Sequence, residues 1–412
     1  MQYKNIIRIL GLLVGLLSVT MLPPALISLV YRDGGGLPFI LAFLWCIGTG
    51  FLAWYPNRLE KTDLKAREGF LIVVLFWLVL ASFSAIPLML LEEPNLSTAD
   101  AFFESFSGLT TTGATILNHI DDLPHAVLWY RQQLQWLGGM GIIVLAVAVL
   151  PMLGIGGMQL YRAETPGPVK DSKMTPRIAD TAKHLWYIYL GLTIACALAY
   201  WLAGMSGFDA ICHAFSTIAI GGFSTHDASM GYFNSPTINL VCVTFLLIAG
   251  VNFALHYVAV QSKSLKSYFF DPEFKVFIGI QVVLTLICFT LLLSTGTYQD
   301  VDQALDQALF QSVSISTTAG FATTSFADWP TLLPMLLIFS SFIGGCAGST
   351  GGGMKVVRVV LLYLQGLREL NKLVHPKAIF SIKLGRKVLP DRVVEAVWGF
   401  FSAYAAVFVI CM

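Results

Sequence analysis

The run from Phe70 to Leu91 contains no charged residue, and it decides which solvent this chain folds in. A helix rises 1.5 Å per residue, so roughly 20 apolar residues cross the hydrocarbon of a bilayer. Runs of comparable character cover about 6–31, 37–55, 127–153, 183–204, 237–260, 274–295, 331–362 and 393–412. The 412 residues are 56% hydrophobic and 12% charged, with a mean hydropathy of +0.73. An ordinary soluble domain has about 45–50% apolar and about 25% charged residues and could not hide this much apolar surface. The first run follows Lys4 and Arg8 and stays apolar to Val30. That exceeds the apolar region of a cleaved signal peptide, so a retained helix is expected.

Charge along the chain gives a topology. All but two of the 25 basic residues fall at the N-terminus or in four segments: Arg58, Lys61, Lys65 and Arg67; Arg162, Lys170, Lys173, Arg177 and Lys183; Lys263, Lys266 and Lys275; and Lys355 to Arg392. The positive-inside rule places these segments, and the N-terminus, in the cytoplasm. The complementary segments hold only Arg32 and Arg131 among basic residues, but many acids, including Asp33, Glu104, Asp121, Asp209 and Asp227. Such an outer face should attract cations. The net charge of +1 and the lack of a basic tail give no reason to expect nucleic acid. Cys46, Cys196, Cys212, Cys242, Cys288, Cys346 and Cys411 are scattered through apolar runs without CxxC or zinc spacing, which suits packing rather than disulfides or metal.

Three segments do not fit as spans. Residues 98–115, 207–224 and 303–322 begin as helical pattern and turn rich in Gly, Ser and Thr, and each lies between spans whose far ends are both cytoplasmic. Their helical parts, 98–109, 208–218 and 303–315, reach only about halfway through the hydrocarbon, so re-entrant half-helices are predicted. The three repeat one motif: Ala101, Ala210 and Ala308 recur, then Ser107, Ser216 and Ser314, then Gly113, Gly222 and Gly320. Irregular backbone at membrane depth is tolerated only where protein buries it or water lines it. Loops gathered around one axis would offer rings of carbonyl oxygens to a dehydrated cation, with each half-helix aiming its partially negative C-terminus there. The alternative is that these small residues only permit close helix packing.

A second Gly-rich stretch, Gly344-Gly345-Cys346-Ala347-Gly348-Ser349-Thr350-Gly351-Gly352-Gly353, interrupts the run 331–362. It is not a phosphate-binding loop, because Met354 separates the last glycine from Lys355 and Val356 follows where that motif needs Ser or Thr. So many glycines cannot hold a helix; a flexible gate or a static kink is expected. Arg131, with Gln132, Gln133 and Gln135, is read as snorkelling at the outer end of its span. Asn252 and His256, one turn apart, either line a watery vestibule or share an interhelical hydrogen bond. No Ser–His, Asp–Asp or HExxH constellation sits in the spans, so an enzyme is not expected.

Thr-Thr-Thr-Gly-Ala-Thr at 110–115, Ala-Ile-Gly-Gly-Phe-Ser at 219–224, Thr-Thr-Ala-Gly-Phe at 317–321 and Gly-Gly-Cys-Ala-Gly-Ser-Thr-Gly-Gly-Gly-Met-Lys at 344–355 resemble the Trk/Ktr/HKT superfamily of potassium transporters, closest to its bacterial TrkH membrane-subunit family. The resemblance runs the length of the chain. It implies an all-α integral membrane fold of helix–pore loop–helix repeats arranged like a potassium channel, plus two N-terminal helices: 1–69 for those helices and a basic loop, 70–160 for repeat 1, 161–262 for repeat 2, 263–390 for repeat 3 with a cytoplasmic linker, and 391–412 for the first helix of a fourth repeat whose filter loop lies beyond the chain, as in a truncated sequence. By the same resemblance Gly113, Gly222 and Gly320 are the filter glycines, Thr111, Thr112, Ile220, Gly221, Thr318 and Ala319 lend neighbouring carbonyls to potassium, and Gly344 to Gly353 form an intramembrane gate. It further implies a homodimer in the bacterial inner membrane, a cytosolic ring of TrkA-like nucleotide-sensing partners, and no cofactor on this chain. Uptake is expected to be channel-like, with symport coupled to sodium or protons as the alternative.

Overall fold

In the computed structural model the described residues are 3–59, 66–141, 178–330, 332–378, 380–385, 387–389 and 391–411. Lys61, Lys65, Arg162, Lys170, Lys173, Arg177 and Arg386, and the end of the run 127–153, lie outside them. The described chain is helical apart from loops and one two-residue β-hairpin, and forms two compact units.

The first unit comprises the described residues up to Ala249 together with 319–325. Its helices are α1 (Tyr3–Val19), α2 (Leu22–Tyr31), α3 (Gly36–Trp54), α4 (Ala66–Leu90), α5 (Thr98–Leu109), α6 (His125–Gly139), α7 (Ile178–Leu202), α8 (Gly207–Ala219) and α9 (Pro236–Ala249). The first apolar run is two helices, because the chain turns at Thr20–Met21 and Pro23 starts α2 at a position where its missing N–H is not needed. α1 crosses α3 so closely that a Cβ on Gly11 would lie 2.8 Å from the Gly50 carbonyl oxygen, the small-residue contact that membrane helices use in place of a hydrophobic driving force. Met21, Phe39, Ala42, Cys46, Ala81, Ala85 and Tyr130 fill the core behind α5 and α6, and the Tyr130 hydroxyl donates to the Ser84 carbonyl at 2.8 Å.

The second unit comprises 250–318 and the described residues from Phe326 on. It contains α10 (Phe253–Ser262), α11 (Lys266–Phe270), α12 (Pro272–Ser294), α13 (Val301–Ser316), α14 (Leu332–Ser341), α15 (Val356–Val374), β1 (Lys383–Leu384) paired antiparallel with β2 (Lys387–Val388), and α16 (Asp391–Cys411). Cys288 and Leu292 of α12 pack on Ala308 of α13 and Leu333 and Leu337 of α14. Leu361 of α15 packs on Val394 and Val397 of α16.

Among the described residues six helical stretches are long and apolar enough to cross a membrane, including Tyr3–Tyr31, Leu71–Leu90, Lys183–Leu202 and Pro272–Ser294, so this is a multi-pass membrane protein. One expected span is corrected. The run 237–260 is not one helix: α9 stops at Ala249, and Asn252 starts α10 by accepting from the Ala254 N–H at 2.8 Å. The run 331–362 is interrupted where the glycines are expected to break it: α14 covers ten residues, the Gly-rich loop follows, and α15 continues to Val374. The half-helices appear where they are predicted, as α5, α8 and α13 of 12, 13 and 16 residues.

Candidate functional site

Each half-helix is started by a side chain. Ser97 accepts from the Asp100 N–H at 3.2 Å and donates to its carboxylate at 2.7 Å. Ser206 and Asp209 do the same at 3.0 and 2.7 Å, and Asp300 caps α13 through the Asp302 N–H. These caps satisfy orphan N–H groups. At their other ends the half-helices stop alike. The N–H of Thr111 donates to the Gly108 carbonyl at 3.1 Å, that of Ile220 to Thr217 at 3.1 Å, and that of Thr318 to Ile315 at 3.0 Å.

Beyond these stops the three loops adopt one backbone. Thr111, Ile220 and Thr318 have φ of 55°, 53° and 73°, and Gly113, Gly222 and Gly320 have φ of 77°, 84° and 81°, while Thr112, Gly221 and Ala319 between them do not take positive φ. In a strand successive carbonyls alternate in direction; alternating the sign of φ turns successive peptide groups so that like atoms face one side. Positive φ at β-branched Thr and Ile costs about 1–3 kcal/mol each and persists only where the surroundings over-determine it.

The loops also follow one another in space. A Cβ on Gly113 would lie 2.1 Å from the Gly221 oxygen and 3.6 Å from that of Ala319, and one on Gly222 would lie 1.9 Å from the Ala319 oxygen. Gly113 of loop 1 thus faces a carbonyl of loop 2, and Gly222 of loop 2 faces a carbonyl of loop 3. The structure brings Gly113, Gly221, Gly222, Ala319 and Gly320 together in the first unit.

Side chains of α6 hold the first two loops from behind. Arg131, 1% exposed, is not snorkelling as the sequence suggests. Its Nε–H donates to Glu104 at 2.7 Å, its Nη1–H to the Ser224 carbonyl at 3.1 Å and its Nη2–H to Thr115 Oγ1 at 3.1 Å. Glu104 is fully buried and also accepts from Thr115 Oγ1 at 2.9 Å, so it does not belong to the open acidic face to which its position assigns it. A buried ion pair is tolerated when its remaining hydrogen bonds are made in this way. One turn on, Gln135 bonds the loop 2 backbone, and Gln132 accepts from the motif serine Ser216.

Outside the spans, the segments following loops 1 and 2 are clasped. His226 pairs with Asp121, lies 3.4 Å from Asp209 and stacks on Tyr232 with ring centroids 3.5 Å apart. Burial opposes the imidazolium, but Asp209 and Asp121 outweigh it and raise the His226 pKa above its ordinary value. Burial likewise opposes the Asp121 charge, and the bonds from His226 and the Asp227 N–H overcome it, so that pKa is lowered.

In the second unit, the loop from Gly344 to Gly353 is tied by backbone and side-chain bonds. The Cys346 N–H donates to the Gly250 carbonyl at 2.8 Å and the Phe253 N–H to the Gly348 carbonyl at 3.0 Å, at the break between α9 and α10. Glu273 Oε1, in the first turn of α12, accepts from Ala347 N–H at 2.7 Å and Val357 N–H at 3.1 Å. The Lys355 ammonium donates to the Gly351 carbonyl, and the Gly352 N–H donates to Thr318 Oγ1 at 2.7 Å. Asn252 is therefore a helix cap, and His256 bonds the Tyr268 hydroxyl at 2.8 Å, which favours the hydrogen-bonding reading of that pair.

The family described as TrkH, cation transport protein, matches residues 36–412. The chain belongs to the TrkH family. The Trk system potassium uptake protein TrkH of Vibrio parahaemolyticus is 67% identical over all of this chain and 85% of its own length. The protein of the same name from Escherichia coli is 62% identical over the same shares, and E. coli TrkG is 45% identical over 96% of this chain and 81% of its own. The crystal structure of the potassium transporter TrkH from V. parahaemolyticus superposes with a TM-score of 0.91 at 63% identity, over 100% of this chain and 85% of that one. An all-α membrane fold is common to both. Within this TrkH-family chain, sequence reasoning misses Glu104, Gln135, Glu273 and Lys355 as loop-holding residues. The available signal was the polar group Arg131, Gln132, Gln133 and Gln135 inside a span, since polar residues at membrane depth are functional by default.

Proposed function

We propose that this protein carries potassium into the cell across the bacterial cytoplasmic membrane, N-terminus inside, by a channel-like path. Thr111, Thr112, Gly113, Ile220, Gly221, Gly222, Thr318, Ala319 and Gly320 line its selectivity filter, in helix–pore loop–helix repeats bounded as the sequence divides them. Carbonyl oxygens replace the hydration shell of the ion, and their number and field favour potassium over sodium. The observation that carries this reading is the shared backbone: three loops alternate left-handed residues at the same two offsets, and two of their glycines each abut a carbonyl of the next loop. The named activity of the relatives supports potassium as the cargo.

The loop Gly344 to Gly353 serves as the gate. Its Gly352 meets Thr318, the first left-handed residue of loop 3, so its movement would reach the filter segment directly. The chain works as a homodimer under a cytosolic ring of nucleotide-binding subunits that operate this gate, and holds no cofactor of its own. Purified protein in a planar bilayer with unequal potassium tests the reading. A current that reverses at the potassium potential, whatever the pH and sodium, supports a channel; a reversal that follows sodium or pH means coupled symport. Gly113→Ser should lower potassium-over-sodium selectivity, and unchanged selectivity would remove these loops from the filter.

A further inference from the structure

Loop 2 alone has glycine at both of its last two filter positions; loops 1 and 3 carry Thr112 and Ala319 where it has Gly221. Conformation does not demand this glycine, because Gly221, unlike Gly222, does not take positive φ. Space does. A Cβ on Gly221 would sit 2.4 Å from Cδ of Gln135.

That side chain is completely buried and matched to the loop. Its Nε2–H donates to the Gly221 carbonyl at 2.7 Å, and its Oε1 accepts from the Phe223 N–H at 3.0 Å. A carboxamide is the one side-chain group of this shape that donates and accepts together. The oxygen it holds is the one facing Gly113 of loop 1, at the seam between two filter loops. Arg131, four residues earlier and so on the same helix face, secures the outer end of the segment through the Ser224 carbonyl.

We propose that Gln135 is a positioning residue for ion selectivity, fixing the direction and field strength of the Gly221 carbonyl; the proposal rests on the filter reading above. The amide donor occupies one lone pair of that oxygen and leaves the other for an ion. A carbonyl so tethered cannot swing inward to embrace the smaller sodium ion. Released, it can, and discrimination falls.

The test uses full-length protein in planar bilayers, with potassium/sodium permeability ratios read from bi-ionic reversal potentials and folding checked by gel filtration. Gln135→Met, which loses both bonds, should lower the ratio about tenfold, the scale of one buried hydrogen bond. Gln133→Met removes a buried amide of the same helix that bonds Trp129 and the Thr20 carbonyl instead, and should leave the ratio unchanged. Gln135→Glu keeps the fit and makes the tether titratable. Ionised, it cannot donate to Gly221; protonated, it can, so the ratio should be low at alkaline pH and recover in acid, with the parent protein at the same pH values as control. This variant decides the matter if Gln135→Met does not fold. A ratio in Gln135→Glu that matches the parent at every pH, or an equal fall in Gln133→Met, overturns the proposal. The companion Gly222→Ser separates the layers. If it lowers the ratio and the Gln135 variants do not, the positioning role fails alone; if none of them does, the filter reading fails with it.

Discussion

The three loops that follow α5, α8 and α13 and the loop Gly344–Gly353 all follow helices and all contain left-handed glycine, yet they are held differently. In the first three loops, left-handed backbone falls on Thr111, Ile220 and Thr318 as well as on glycine, and buried side chains of α6 fix loop 2 and the exit of loop 1. In the Gly-rich loop, positive φ falls on Gly344, Gly348 and Gly353, where it costs little. Its tethers include the Glu273 carboxylate, the Lys355 ammonium, the Thr318 hydroxyl and backbone bonds. A strained, over-determined backbone keeps one geometry, as the proposed ion discrimination requires. A backbone whose left-handed residues are glycines apart from Lys355 at its exit, held by polar tethers, can leave and return, as the proposed gating requires.

That contrast can be broken most sharply at Gly222. Gly222→Ala places a Cβ 1.9 Å from the Ala319 oxygen at a φ of 84°, and the potassium/sodium permeability ratio in planar bilayers should collapse toward unity. If the ratio survives, loop 2 is more compliant than this contrast allows. Next in size, Arg131→Met strands the buried Glu104 and should destabilise the protein by about 3–5 kcal/mol, seen as a lowered thermal unfolding midpoint in detergent. Arg131→Met with Glu104→Gln should regain part of that loss, because no charge is then left unpaired.

The Gly-rich loop should respond in the other direction. Glu273→Ala removes the acceptor shared by Ala347 and Val357 and should raise basal rubidium flux about tenfold in liposomes without any regulatory subunit, on the scale of one charge-assisted hydrogen bond. A fall in flux with intact folding would mean the loop supports conduction rather than blocking it.

The smallest effect belongs to the outer clasp. His226, whose pKa is raised, stabilises fully below the ordinary imidazole value and loses its contribution as pH rises through the raised one. Asp121, whose pKa is lowered, contributes above the ordinary carboxylate range and loses its share as pH falls through the lowered value. With Asp209, Asp227, His213 and Tyr232 around it, His226 should give a stability advantage over His226→Gln that is greatest between those limits and fades on the alkaline side. Thermal unfolding across the pH range checks this, and parallel curves for the two proteins would exclude the clasp.

The half-helices were legible because their cause is local: a capped amphipathic stretch too short to span, closed by Gly, Ser and Thr. Their observed ends lie within two residues of the expected ones. The break at Gly250 to Asn252 was not legible. A single glycine in an apolar run is no stop signal, and what accompanies the break is backbone bonding to Cys346 and Gly348, nearly a hundred residues on. Arg131 misleads for the same reason: sequence shows its place along the span, but not that Glu104 waits for it at the same depth.

Hydropathy and charge asymmetry determined by themselves that this chain crosses a membrane repeatedly, and a motif written three times located its short capped helices and the loops that follow them. These properties follow from residue type and spacing, because lipid, helix rise and backbone sterics act on any sequence alike. Only the tertiary structure decided which oxygens face which glycines, why loop 2 needs Gly221, and which buried polar groups support a loop rather than line a path. Those depend on contacts between residues far apart in the chain, and no local pattern carries them.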